Sequence, residues 1–230
     1  LAVVLVSGGM DSLVTVALAA KKHHRLALVH LNYGQKTEKK ELQCFHKIAA
    51  HYGVDKTYRQ IFDVKFLRQI GGSSLTDKKI KVKKFKGDSK KIPDSYVPFR
   101  NTHIIAMAVS WAEVIGATKI YIGAVNEDSS GYPDCRPAYY QAYNKLIHLG
   151  TKNGNIKIVT PVIHLSKADI VKTAIKLKAP LKLSWSCYQN IHQACGVCDS
   201  CALRLRGFEQ AGEFDPIPYL RRPTYSKSRK

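Results

Sequence analysis

Four cysteines, Cys187, Cys195, Cys198 and Cys201, fall within fifteen residues in the pattern C-x7-C-x2-C-x2-C. Thiolates are soft donors, and four in one short segment suit tetrahedral zinc, with the metal stabilising each negative charge. The two CxxC spacings share Cys198, so the last three ligands sit on one tight loop, where Gly196 supplies the turn. An iron–sulfur cluster and idle thiols are the competing readings, and His192 is near enough in sequence to replace one sulfur. A closed set of four protein ligands points to a structural ion, because catalytic zinc keeps an open position. Cys44 and Cys135 stand alone, and the N-terminal stretch lacks the basic start of a secretory signal, so a disulfide framework is not expected.

A second constellation is Ser7-Gly8-Gly9-Met10-Asp11-Ser12, flanked by Val6 and Leu13. It follows an apolar run and opens an amphipathic stretch. Gly8 and Gly9 permit close approach of an anion to the backbone, a helix start offers unpaired N–H groups, and the two serines add hydroxyl donors. Neither the Gly-Lys-Ser/Thr loop nor the Gly-x-Gly-x-x-Gly fingerprint is present. The bland alternative is a plain tight turn.

The third stretch is Ser130-Gly131-Tyr132-Pro133-Asp134-Cys135-Arg136. Asp134 offers an acceptor and Arg136 a fork of donors, which suits a ligand carrying both N–H groups and a carboxylate. An internal Asp–Arg pair in a surface loop is the plain alternative. Cys135 reads as a small packing residue in preference to a nucleophile.

Repeated strand–helix units must position these residues. Strands are expected at 2–6, 26–31, 57–62, 118–123 and 157–162, and helices at 12–22, 37–52, 102–115, 138–149 and 166–178. Leu42, Phe45, Ile48 and Ala49 mark the buried face of the second helix, Gly53 and Gly116 close two helices, and Ser166 with Asp169 resembles a capping box. The implied fold is α/β: a doubly wound, mostly parallel sheet with helices on both faces and a small C-terminal zinc-binding segment. Domain boundaries are expected at 1–180 for the nucleotide-binding unit, with a Lys-rich insertion or lid at about 72–99, and at 181–220 for the cysteine and helical segment. Residues 221–230 are expected to form a disordered basic tail. Ligands in such sheets bind beyond the strand carboxyl ends, here after residues 6, 31 and 123. A cysteine segment lying outside those strands is expected to leave nucleotide binding untouched.

The chain has 230 residues, 45% of them hydrophobic, and a net charge of +20. These values exclude a wholly disordered or collagen-like chain, and no apolar run approaches the ~20 residues of a membrane span. The charge is concentrated: Lys78 to Lys91 holds eight lysines against one aspartate, and the last ten residues hold five basic groups and no acid. Such clusters attract phosphates or nucleic acid, or are simply a solvated insertion and a frayed end.

SGGMDS resembles the PP-loop of the ATP pyrophosphatases. Together with NYGQ at 32–35, VPFRN at 97–101, SGYPDCR at 130–136 and CGVCDSC at 195–201, it makes the chain similar, from about Val3 to Gly207, to the 7-cyano-7-deazaguanine synthase family. The resemblance implies an ATP-dependent ligase that converts 7-carboxy-7-deazaguanine and ammonia to 7-cyano-7-deazaguanine, a queuosine precursor, through adenylated carboxylate and amide. It implies ATP and Mg²⁺ at Val6, Ser7, Gly8, Gly9, Met10, Asp11, Ser12 and Leu13, and one structural Zn²⁺ per chain. Asp11, Arg100 and Lys167 would be catalytic, Lys167 standing in SKAD where the family has a KAE segment; a solvent-facing lysine is the alternative there. Tyr33, Gln35, Asn101, Tyr132, Asp134 and Arg136 would hold the deazaguanine. The resemblance also implies a cytoplasmic homodimer that uses free ammonia, with no membrane and no required nucleic acid, although the basic insertion leaves room for one. Asn32 stands where the family often has Asp, and Phe99 where it often has Gly. The alternative is a tRNA-modifying PP-loop enzyme, which the charge favours. A zinc-bearing nucleic-acid adaptor leaves SGGMDS and SGYPDCR unexplained.

Overall fold

Ala2–Leu5 contains no polar side chain and is wholly buried, as required of a strand covered on both faces. In the computed structural model, which describes residues 1–87, 91–126 and 131–226, this strand (β1) is the centre of a five-stranded parallel sheet. The other strands are β2 (Leu26–Asn32), β3 (Arg59–Asp63), β4 (Lys119–Tyr121) and β5 (Lys157–Val159), in the order β3-β2-β1-β4-β5. Val4 pairs with Leu28 on one side and with Tyr121 on the other.

Alternate residues of β1 feed two cores, the period-2 consequence of strand geometry. Val3 and Leu5 pack with Ile105 and Ala108 of α4 (Arg100–Ile115) and with Tyr140, Tyr143 and Ile147 of α5 (Pro137–Gly150). Ala2 and Val4 pack with Leu13 and Val16 of α1 (Met10–Lys22), with Phe45 and Ile48 of α2 (Glu38–His51), and with Ile170 and Val171 of α6 (Lys167–Lys176). A short α3 (Phe66–Ile70) and the C-terminal α7 (Asp199–Ala211) complete the helices of the described residues.

Several boundaries differ from the sequence reading for visible reasons. The third strand starts two residues late because Lys56–Tyr58 forms a 3-10 turn. β4 stops at Tyr121, and by Gly123 the chain runs so close to α1 that a Cβ there would lie 2.8 Å from the Asp11 carbonyl. β5 is short because the chain turns at Thr160-Pro161, and proline cannot continue a ladder. α1 begins at Met10 and α4 at Arg100, two residues earlier than expected in each case, which draws Asp11, Arg100 and Asn101 into first helical turns. The Ser166 hydroxyl caps α6 by accepting the Asp169 N–H at 3.1 Å.

Two further expectations are corrected. The Lys-rich stretch is not a merely solvated insertion: the Phe85 N–H donates to the Val197 carbonyl at 2.8 Å, and Lys84 bridges Cys198. Disorder does not describe residues 221–226 of the tail, where the Tyr225 hydroxyl donates to the Gly196 carbonyl at 2.7 Å and Arg222 donates to the carbonyls of Asp215 and Ile217. Residues 88–90 of the insertion, Ser130 and residues 227–230 lie outside the described residues.

Candidate active site

A cavity of about 290 Å³ opens at the carboxyl edge of the sheet, where parallel α/β sheets bind ligands. Val6, Ser7, Gly9, Met10, Asp11 and Ser12 form one wall. Gly8 is buried behind it at φ +86°, and a Cβ there would lie 2.8 Å from the Glu41 carbonyl, so only glycine lets the loop fold against α2. Leu13 points away into the core and carries no contact with the cavity. The Ser7 hydroxyl donates to that of Ser12 at 3.2 Å, and Ser12 donates to the Gly9 carbonyl at 2.9 Å. No side chain caps the start of α1, so its first N–H groups are left for an anion.

From below, the Nδ1 of buried His30 donates to the Val6 carbonyl at 2.8 Å. Burial pushes the pKa of this imidazole below its ordinary 6.5, against the Val6 and Asn32 contacts, which raise it.

Lys167, at the start of α6, places its Nζ 2.8 Å from the Asp11 Oδ2. Sequence positions 156 residues apart thus meet at the loop. The Asp11 Oδ1 is buried without a partner, a donor suited to Mg²⁺ bound with phosphate.

The opposite wall is built around Arg100. Its Nη1 donates to the Tyr33 hydroxyl and its Nη2 to the Asn101 Oδ1, both at a long 3.4 Å, while its Nε has no partner. The guanidinium also lies 5.5 Å from the Tyr33 ring centre. Donors this weakly engaged in a closed site are available to a carboxylate or phosphate. Tyr132 stands beside it, hydrogen-bonded through its hydroxyl to the Ser95 hydroxyl at 2.6 Å.

Not every residue expected at the ligand reaches it. Asp134 is 3% exposed and sits behind the lining, where its Oδ2 accepts the Asn101 N–H at 3.2 Å. Burial pushes its carboxyl pKa up. Gln35 is likewise consumed internally, accepting the Tyr33 N–H at 2.9 Å and donating to the Glu41 Oε2 at 3.0 Å. Arg136 is exposed and does not line the cavity. Tyr33, Asn101 and Tyr132 do line it.

The four cysteines converge as their spacing demands: their Sγ atoms all lie within 4.8 Å of one another and are buried. Cys195 and Cys201 are 3.9 Å apart at sulfur, close to the ~3.8 Å edge of a tetrahedron with 2.3 Å zinc–sulfur bonds. The Cys187 Sγ accepts backbone N–H groups from Gln189, Asn190 and Cys195, and the Cys195 Sγ accepts those of Val197 and Cys198. Such donors stabilise thiolates, so the set can hold a metal ion such as zinc. His192 is exposed and outside the cluster.

This segment is not independent of the cavity. Trp185, Ser186, Tyr188, Asp199, Ser200, Leu203 and Arg204 all line it. Arg204 is 1% exposed and forms a two-pronged pair with Asp215, at 2.7 and 2.9 Å. Sequence reasoning missed these residues and also Glu41, which appears in sequence only as one charge in the run EKKE.

The family model for the queuosine biosynthesis protein QueC matches residues 1–212. The chain belongs to the QueC family. It is 57% identical to the 7-cyano-7-deazaguanine synthase of Chlorobium chlorochromatii over 97% of this chain and 98% of that protein. With the enzyme of the same name from Chloroherpeton thalassium it is 58% identical, over 97% of this chain and 99% of the relative. A solved 4-thiouridine synthetase in complex with RNA and ATP matches 85% of this QueC chain and 44% of its own, with a TM-score of 0.50 and 18% identity. That likeness shows the PP-loop fold alone. No helix of the described residues is long and apolar enough to cross a membrane.

Proposed function

We propose that this QueC-family chain is an ATP-dependent ligase that makes 7-cyano-7-deazaguanine from 7-carboxy-7-deazaguanine and ammonia. The observation that carries it is the opposition, across one cavity, of the SGGMDS loop and the Arg100–Tyr33–Tyr132 wall. One side suits polyphosphate, and the other suits a flat base bearing a carboxylate. Near end-to-end likeness to proteins named 7-cyano-7-deazaguanine synthase supports the same substrate.

A carboxylate resists ammonia until one oxygen becomes a leaving group. Its oxygen attacks the α-phosphorus of ATP, and pyrophosphate departs. Ammonia then forms the C–N bond and AMP leaves, giving the amide. The amide oxygen attacks a second ATP, again releasing pyrophosphate. Loss of two N–H protons and of AMP from this adduct leaves the nitrile.

The start of α1, Ser7 and Ser12 hold the phosphates, while Lys167, oriented by Asp11, meets charge developing on the departing pyrophosphate. Preorganised groups of this kind are each worth ~3 kcal/mol of barrier. Arg100 orients the carboxylate, with Tyr33 and Tyr132 against the ring and Asn101 at its edge. Mg²⁺ held at Asp11 would neutralise phosphate charge, and Zn²⁺ on the four cysteines would fix the wall that carries Trp185, Tyr188 and Asp199. The reading also takes the enzyme to be a cytoplasmic homodimer drawing ammonia from solution.

The test is turnover without RNA. Purified protein given 7-carboxy-7-deazaguanine, ammonium, ATP and magnesium should yield the nitrile by mass spectrometry. Activity appearing only when tRNA is added would favour the tRNA-modifying alternative and overturn this reading.

A further inference from the structure

Ammonia at neutral pH is mostly ammonium, which has no lone pair with which to attack. Amide formation as proposed above therefore needs a base that meets ammonium inside the cavity, and this inference rests on that reading. Asp11 is paired with Lys167, Asp134 lies behind the lining, and Asp199 lines the cavity but lies between Cys198 and Cys201 of the metal-binding cluster. Glu41, on α2, lines the cavity and has none of these limitations.

The surroundings of Glu41 define its state. Its Oε1 accepts the Thr37 hydroxyl at 2.6 Å and its Oε2 accepts the Gln35 amide at 3.0 Å. The first is a short hydroxyl–carboxylate contact. Gln35 is itself fixed by the Tyr33 N–H at 2.9 Å, so the carboxylate is held in one orientation. Among the described residues, Asp11, Asp63, Asp94 and Asp215 have a Lys or Arg within ion-pair distance, and Glu41 does not. A largely buried carboxylate held by two neutral donors, with no Lys or Arg of the described residues within ion-pair distance, is a place for a small cation.

We propose that Glu41 is the catalytic residue that binds ammonium and takes its proton. Ammonium transfers one proton to the Glu41 carboxylate, and the freed lone pair forms the C–N bond to the acyl carbon. The C–O bond to AMP breaks with its electron pair leaving on AMP, and a second N–H proton passes to water. The charged and titratable groups facing Glu41 are Arg100 of α4, Tyr33 at the exit of β2, and Glu38 and Cys44 of α2 itself. Burial raises the proton affinity of the carboxylate, and the two hydrogen bonds and Arg100 oppose that rise without cancelling it. The net rise brings acceptor and donor closer in proton affinity, which favours transfer.

The test compares Glu41→Gln with the parent enzyme using two nucleophiles. Hydroxylamine is neutral at pH 7 and needs no base, so hydroxamate formation and carboxylate-dependent ATP–pyrophosphate exchange should stay within about threefold of the parent. With ammonium, kcat/KM should fall by about 100-fold or more at pH 7, the scale of a lost general base. That deficit should shrink as pH rises and free ammonia becomes abundant. Equal losses with both nucleophiles, or an ammonium deficit that does not change with pH, would overturn the proposal. Failure of the parent enzyme to show carboxylate-dependent exchange would instead remove the functional reading beneath it, and the role of Glu41 would fall with it.

Discussion

The main-chain N–H of Trp185 donates to the carbonyl oxygen of Gly8 at 2.8 Å. That bond joins the chain leading into the cysteine cluster to the phosphate loop, and the Trp185 ring also lies 4.3 Å from the Lys40 Nζ of α2. Metal binding should therefore be felt at the nucleotide. Chelation, or Cys198→Ser, should lower Tm and weaken ATP binding about tenfold, the loss of one hydrogen bond of this class. Unchanged ATP affinity in folded, metal-free protein, measured by calorimetry, would break this link.

The Asp11–Lys167 pair separates catalysis from stability. Both groups retain some exposure, so the pair is worth no more than ~1 kcal/mol to folding. Lys167→Ala should leave the melting curve nearly unchanged and lower kcat by roughly 100-fold or more. Asp11→Ala should abolish turnover in a folded protein. A folded Asp11→Ala enzyme with near-normal turnover would remove Asp11 from the ATP site.

His30 sets a pH dependence. Its folded pKa lies below the ordinary 6.5, so the folded state binds fewer protons than the unfolded chain. Its contribution to stability is complete above pH 6.5 and is lost as pH falls toward the folded value. Denaturant titrations of the parent chain should show stability declining below that point, with a shallower decline in His30→Gln. Parallel pH profiles would contradict this.

Phe99 holds φ +57°, the left-handed region, at the start of α4, and its side chain is 58% exposed. The conformation costs ~1–2 kcal/mol for a residue with a Cβ, and glycine gives back ~0.5–1 kcal/mol in chain entropy. Phe99→Gly should therefore raise stability by about 0.5–1 kcal/mol, or roughly 2–3 °C in Tm. A lower Tm would mean that the ring contact with His103, at 6.2 Å, outweighs the backbone strain.

The sheet, the phosphate loop and the cysteine cluster were legible because each is written in contiguous residues: an apolar run, SGGMDS, and C-x7-C-x2-C-x2-C. Glu41 was not, since in EKKE a charge facing the cavity reads the same as one facing solvent. Arg204 is carried by α7, which packs on α6, and Trp185 is held at the cavity by its bond to the Gly8 carbonyl, both long-range relationships without a local period. Asp134 and Arg136 show the converse. Their types suited a ligand, but the 3-10 turn at Pro133–Cys135 buries one against Asn101 and leaves the other exposed.

The central claim is that one cavity activates the same carbon twice with ATP. The most direct measurement is product stoichiometry in a single reaction without RNA, counting AMP, pyrophosphate, amide and nitrile by mass over time. Twofold activation gives two AMP and two pyrophosphate for each nitrile, with the amide appearing first and being converted on further incubation with ATP. One AMP per nitrile, release of ADP and phosphate, or supplied amide that is never converted would contradict it.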